Sequence, residues 1–370
     1  MRTVRHIRLQ YLQHAGRHAV RDLRSGVGAS TVVRAVGSGV TPIDFSELGL
    51  AIGHATDDVG GTGLTVVRPI VGAMRCAAVT VGRATGTREF HAASPFHLVD
   101  RTDAVLLTGG SAYGLDAAAG VMRWMEERAR GFSVGPGVVP IVPAAVIYDL
   151  APCGHFTARP TPAMAYAACE SATPLVAAEG SVGAGTGATV GKAAGAPNAM
   201  KGGVGVWVER SGSIAVGAVA VVNAFGDVRD GEGVIIAGAR QGSAFLDSAA
   251  TLASGAGRGG FAADLALQNT TITLVASSVT LSRVELQQLA SAASAALYRR
   301  ITPTGTSFDG DVVFAVCPAA DPPADRRPVP VLQIEALAVR ALEMAVERGV
   351  RSAVGRDGIP GLGDSGRARA

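Results

Sequence analysis

Short apolar runs separated by glycines and polar turns occupy most of this chain, and their period alternates between two residues and 3.6. Residues 48–68 read as a strand, a polar turn and a second strand. Ala104–Thr108 is another strand-length run, followed by Gly109, Gly110 and Ser111. Leu115, Ala118, Ala119, Met122 and Met125 then recur at helical spacing, with Ser111 placed to cap the helix and Gly131 to stop it. Val204, Val206 and Val208 alternate with Gly205 and Trp207, and Ile214–Val222 follows as the hairpin partner. Residues 240–252 read as a helix and Thr270–Ala276 as a buried strand. Ser282 and Glu285 form a capping box for a helix with Leu286, Leu289, Ala290, Ala293 and Leu297 on one face. Val312–Val316 is strand-like, and residues 331–348 give a last helix. Clusters of strands and helices in alternation, without an internal repeat, predict one multilayer α/β domain over residues 43–350.

Composition narrows the function classes. With 48% hydrophobic and 17% charged residues the chain belongs among well-packed globular proteins. The net charge of +3 misleads, because residues 1–40 hold seven arginines against the single acid Asp22. The remainder is slightly acidic, and aromatics make up only 5%, so neither phosphate-backbone binding nor base stacking is expected. No run reaches the roughly 18 apolar residues that a membrane-spanning helix needs. Residues 1–42 read as an Arg-rich, disordered arm without a secretory signal's apolar centre, and residues 351–370 as a flexible tail. Cys76, Cys153, Cys169 and Cys317 have no metal-like spacing, which points to a reduced, cytoplasmic setting. No cofactor or metal is expected. The histidines all precede residue 160; His54, lacking clustered partners, reads as structural.

Candidate chemistry sits mostly at strand ends. In Gly180–Lys192, Gly183, Gly185 and Ala188 fit a loose Gly-x-Gly-x-x-Ala pattern. No clean strand precedes it, and Ala193 stands where a Walker loop needs a hydroxyl. Pro140–Asp149 is an apolar run ending in Tyr148 and a carboxylate; the tyrosine is either a core-edge residue or a donor facing a site. Asn223 ends the Ile214 strand, as a turn residue or as an amide donor. Asn269, Thr270 and Thr271 open a β-branched run after the Gly/Ser-rich residues 254–260, and Asp309, Gly310 and Asp311 open the Val312 run. Both patterns are ordinary strand and turn composition. Both also suit a threonine that becomes an N-terminus by self-cleavage, with its hydroxyl as nucleophile and its α-amine as base. An α-amine has an unperturbed pKa of about 7.7–8, and this chemistry needs neither histidine nor metal.

Gly53-His54-Ala55-Thr56-Asp57, Leu107 to Leu115, Val146-Ile147-Tyr148-Asp149, Gly191-Lys192, Asn223, Asn269-Thr270-Thr271 and Asp309-Gly310-Asp311 together, and in this order, resemble the P1 (S58) peptidases. These include L-aminopeptidase/D-esterases, β-aminopeptidases and 6-aminohexanoate-oligomer endohydrolases. The resemblance covers roughly residues 43–350. It implies a four-layer αββα sandwich, similar to the N-terminal-nucleophile hydrolases but differently connected. It implies self-cleavage between Asn269 and Thr270, Thr270 as nucleophile, and Asp309 and Asp311 beside it. Lys192, Tyr148 and Asn223 would line the site, the last two as oxyanion donors. The implied substrates are small amides, peptides or esters: aminoacyl compounds, β-peptides or amino-acid oligomers. The implied assembly is a homo-oligomer, a tetramer of processed protomers. Two other classes stay open: an acyltransferase of the ornithine-acetyltransferase type on a related fold, and a non-catalytic small-molecule binding protein using residues 180–192.

Overall fold

The longest alternating runs fold into two five-stranded sheets. The computed structural model describes residues 41–255, 269–319 and 330–367. Residues 1–40 of the expected arm and the glycines at 257–260 lie outside them. The strands that matter are β1 (Leu50–Asp57), β2 (Thr62–Pro69), β3 (Met74–Thr80), β4 (Thr87–Arg88) and β5 (Val105–Thr108). They continue with β6 (Ala144–Val146), β7 (Gly203–Ser211), β8 (Ile214–Asn223), β9 (Thr270–Ser277) and β10 (Val312–Pro318). One sheet has the order β1-β2-β5-β6-β4 and the other β7-β8-β9-β10-β3. The helices are α1 (Ala118–Glu126), α2 (Pro162–Ser171), α3 (Ser248–Ala253), α4 (Arg283–Ala293), α5 (Ala295–Arg300) and α6 (Val331–Arg351).

Period-two side-chain alternation assigns each strand face to a layer. Ile52, Val67 and Leu107 from one sheet meet Val219, Ile272, Leu274 and Phe314 from the other in the central core. The opposite faces carry Val66, Leu106 and Ala144 against α1 and α2, and Ala218, Val275 and Val313 against α4 and α6. The result is the four-layer αββα sandwich. Each large apolar side chain fully enclosed in these layers contributes about 1.5–3 kcal/mol relative to exposure.

Connectivity places the site. The β7–β8 hairpin turns at Gly212, whose φ of 60° is open to glycine without strain. β8 pairs antiparallel with β9, and β9 pairs parallel with β10. The parallel pairing brings the starts of β9 and β10 to one end of the sandwich, and the antiparallel one brings the end of β8 there too. Ile272, Leu274 and Ala276 face the central core, so Thr270, two residues before Ile272, points into the same inter-sheet layer.

Several expectations are corrected. Ser111 has φ of 53° and makes no capping hydrogen bond; residues Ser111–Ala117 form a 3₁₀ turn before α1. Ala129, at φ 52°, takes the left-handed position after α1 ahead of Gly131, and the buried face of the helix uses Val121 and Trp124 while Ala119 is exposed. Residues 240–252 are not one helix: Arg240–Gln241 and Ala244–Phe245 pair as a small hairpin around Gly242, and α3 follows with Asp247 as its cap. The segment expected as a loose tail is packed where it is described, with Ala353 and Ile359 buried and Pro360 accepting from Lys201 N at 2.9 Å. Among the described residues no helix is long and apolar enough to cross a membrane.

Candidate active site

Three strand ends converge on one peptide bond. Thr270 is the first residue of β9 and pairs with Asn223, the last residue of β8. On its other side Asn269 forms a parallel bridge with Asp309. The Asn269–Thr270 peptide is therefore held between two neighbouring strands. Thr270 Oγ1 donates to Asn269 O at 2.6 Å, so the hydroxyl lies against the carbonyl that precedes it. Gly310 N donates to the same oxygen at 2.9 Å. A Cβ at residue 310 would stand 2.6 Å from Thr270 Oγ1 and 2.7 Å from Ala84 O, so only glycine leaves room for the hydroxyl.

The carboxylates are fixed by short turns. Asp311 Oδ1 accepts from Thr271 N at 2.6 Å, and its Oδ2 accepts from Thr304 Oγ1 at 2.9 Å and Gly305 N at 3.2 Å. Asp309 Oδ2 accepts from Thr306 N at 2.7 Å. Both side chains are buried, which pushes both carboxyls above the ordinary carboxylate range; the Asp309 charge raises Asp311 further, while Thr306 and Lys192 hold Asp309 back. Burial in turn pulls the Lys192 ammonium down to about 7, with the Asp309 charge opposing that fall. Burial thus raises the two carboxyls and lowers the amine beside them, the kind of perturbation that acid–base work at a neighbouring hydroxyl uses.

Lys192 arrives by the glycine-rich segment. Gly191 has φ of 70° and packs so closely that a Cβ would lie 2.0 Å from Ala239 N. Lys192 N donates to Phe225 O at 2.9 Å, and its Nζ donates to Asn223 O and Asn223 Oδ1, both at 3.0 Å. The glycines of this segment serve close packing: Gly183 sits where a Cβ would meet His54 Nδ1 at 2.6 Å. No helix of useful length opens there to receive a phosphate, so the nucleotide-cradle alternative has no support. Asn223 Nδ2 donates to Tyr148 O at 3.1 Å, which brings the β6 end to the site through its backbone. The Tyr148 hydroxyl makes no hydrogen bond to a described side chain, and burial raises its pKa. Thr270, Asn269, Asp309, Asp311, Lys192, Asn223 and Tyr148 are thus brought to one place. His54 stands apart, its Nδ1 paired with Thr65 Oγ1 at 2.9 Å and burial lowering its pKa to about 4.

Some polar residues carried no local signal. Lys201 is fully buried, with Nζ donating to Thr186 O at 2.8 Å and Ala188 O at 2.6 Å. Asp149, already seen as the carboxylate ending the Pro140 run, accepts from Thr62 Oγ1 at 2.7 Å and Gly110 N at 2.6 Å. Thr304 and the Gly310 N–H were also missed. Only the Gly between the two aspartates hinted at the close approach.

Comparison with known proteins places this cluster. Peptidase family S58 matches residues 48–359. An uncharacterised aminopeptidase of Mycobacterium tuberculosis (strain ATCC 25618 / H37Rv) is 41% identical over 324 residues, covering 80% of this chain and 88% of that protein. The 6-aminohexanoate-oligomer endohydrolase of Agromyces sp. (strain KY5R) is 32% identical over 302 residues, covering 77% and 76%. In structure, the L-aminopeptidase D-Ala-esterase/amidase of Ochrobactrum anthropi, described as a variant of the Ntn-hydrolase fold, matches with a TM-score of 0.64 at 20% identity over 90% of this chain and 94% of that one. A β-aminopeptidase of Burkholderia sp. matches with a TM-score of 0.59 at 18% identity over 89% and 94%. The structural likenesses establish the fold, and the family match over residues 48–359 spans both sheets and every residue of the strand-end cluster. The chain belongs to peptidase family S58 and is a hydrolase of peptide or amide bonds.

Proposed function

We propose that the chain cleaves itself between Asn269 and Thr270 and then uses the freed Thr270 as an N-terminal nucleophile on small aminoacyl, β-peptide or amino-acid-oligomer amides and esters. The observation that carries this reading is the Thr270 hydroxyl 2.6 Å from the Asn269 carbonyl oxygen, inside the Lys192, Asp309 and Asp311 cluster. In turnover the Thr270 α-amine accepts the hydroxyl proton as the oxygen attacks the substrate carbonyl. The proton passes to the leaving amine, an acyl-threonine ester forms, and water releases it. Asp309 and Asp311 hold the ammonium form and orient the residue. The relatives named as aminopeptidase and as 6-aminohexanoate-oligomer endohydrolase favour amide substrates with an amino-acid-like acyl part.

The test is hydrolysis of aminoacyl p-nitroanilides and short 6-aminohexanoate oligomers by the purified chain and by Thr270→Ala. The expected result is turnover by the first, and an intact, folded, inactive second protein. Turnover by Thr270→Ala at the unsubstituted rate would falsify the assignment of the nucleophile.

A further inference from the structure

Self-cleavage converts the planar Asn269 carbonyl into a tetrahedral oxyanion, and a negative oxygen inside a buried strand junction needs a donor already in place. We infer that the backbone N–H of Gly310 is that donor. This inference rests on the self-cleavage proposed above. The N–H already donates to Asn269 O at 2.9 Å before any attack, on the atom that becomes the oxyanion. Thr270 Oγ1 also donates to this oxygen, at 2.6 Å, but that proton leaves the hydroxyl as it attacks, whereas the amide proton of Gly310 stays. Of the side-chain candidates, Asn223 Nδ2 donates to the Tyr148 carbonyl.

The donor is also held rigidly. Asp309 O accepts from Ala84 N at 2.9 Å, and Asp311 O accepts from Val81 N at 2.8 Å, so the Gly310 peptide is pinned on both sides. The parallel bridge between Asn269 and Asp309 fixes its height against the scissile bond. Glycine is required by space, because a Cβ there would meet the attacking oxygen at 2.6 Å. One residue thus supplies a donor to the carbonyl oxygen and clearance for the nucleophile.

The chemistry balances within the chain and one water. Thr270 Oγ bonds to the Asn269 carbonyl carbon, and the carbonyl π pair moves onto the oxygen facing Gly310 N–H. When that pair returns, the C–N bond breaks and the nitrogen ends with the former hydroxyl proton. The product is an Asn269 ester of Thr270 with a free α-amine. Water then attacks the ester, giving the Asn269 carboxylate and restoring the hydroxyl.

An amide-to-ester exchange removes the N–H and adds no atom. Cell-free translation of the full chain with glycolic acid placed at residue 310 gives that protein, and lactic acid placed at residue 319 gives a matched control that loses the Ala319 N–H, which bonds Ala73 O at the far end of the same strand pair. Fragment appearance is followed at neutral pH by gel and mass. The expected result is self-cleavage slower by about 10²–10³-fold for the 310 ester, the loss that removal of an oxyanion donor brings, with the 319 ester within about threefold of the all-amide chain. Cleavage of the 310 ester at the all-amide rate overturns the inference. Equal slowing of both esters also overturns it, since lost strand pairing then explains the effect. Thr270→Ala, run alongside, separates this from the underlying reading: cleavage of that chain would remove self-cleavage by Thr270 itself and not merely the role of Gly310.

Discussion

Two lysines are buried in this sandwich, and their surroundings differ in the feature that matters for chemistry. Lys201 gives its protons to the carbonyls of Thr186 and Ala188, with Asp149 the nearby carboxylate. Its own backbone is tied to Pro360, while Arg356 Nε reaches Cys153 O at 3.0 Å, so this cluster staples the end of the chain to the loops after β1 and β6. Lys192 instead bonds Asn223, and its charge faces Asp309 and Asp311 next to a hydroxyl. Burial lowers both amines, Lys192 to about 7 and Lys201 to about 8. A perturbed pKa alone therefore does not separate structure from catalysis here. The neighbours do: fixed backbone carbonyls around one amine, the Thr270 hydroxyl and two buried carboxyls around the other.

Exchanging each lysine for methionine sharpens that contrast most. Lys192→Met is expected to slow self-cleavage and turnover by about 10²-fold or more per folded molecule, the scale of acid–base loss. Lys201→Met is expected to keep cleavage within about threefold per folded molecule but to lose on the order of 3 kcal/mol of stability, because it strands two buried carbonyls and a buried carboxylate. Rates and urea midpoints on both proteins decide it. If Lys201→Met loses activity as fully as Lys192→Met while staying folded, the two clusters are not functionally distinct.

The carboxylates give the next contrast. Asp311→Asn keeps the shape but removes a charge beside Thr270, and should lower processing by about 10-fold or more for a small change in stability. A purely structural turn would show the reverse, a clear loss of stability with near-normal rates.

The smallest effect is in pH dependence, measured on Thr270→Ala chains so that cleavage does not interfere. Burial raises Asp149 to about 6 from 3.8, so the folded state holds its proton more tightly than the unfolded one. That contribution is complete below 3.8 and is lost as pH rises through 6. Asp149→Asn cannot lose it, so the variant should gain stability relative to its parent between these two values. Parallel stability curves across that window would remove Asp149 as a buried titrating group.

What the chain disclosed of itself follows the reach of each interaction. The strands around Thr270 and Val312 were legible because side-chain alternation is a local property, and the Ser282 capping box because its partners lie three residues apart. Residues 240–252 misled because alanine, serine and leucine suit a helix, while the left-handed turn at Gly242 decides in favour of a hairpin. Thr270, Asp309 and Asp311 suited a self-cleaving threonine on residue types alone, and the ordered family resemblance raised that reading above ordinary strand or turn chemistry. Lys201 was invisible: its partners are backbone carbonyls and a segment about 160 residues further along, and neither leaves a residue pattern. The Gly310 N–H belongs to the backbone and is silent in any sequence.

The central claim is that the Asn269–Thr270 bond is broken by Thr270 itself. Intact-mass measurement with N-terminal sequencing of the purified wild-type chain tests it most directly. The account predicts two associated fragments, the smaller beginning Thr-Thr-Ile-Thr, and a single uncleaved mass for Thr270→Ala. A wild-type chain that remains one polypeptide while hydrolysing amides at full rate would contradict it.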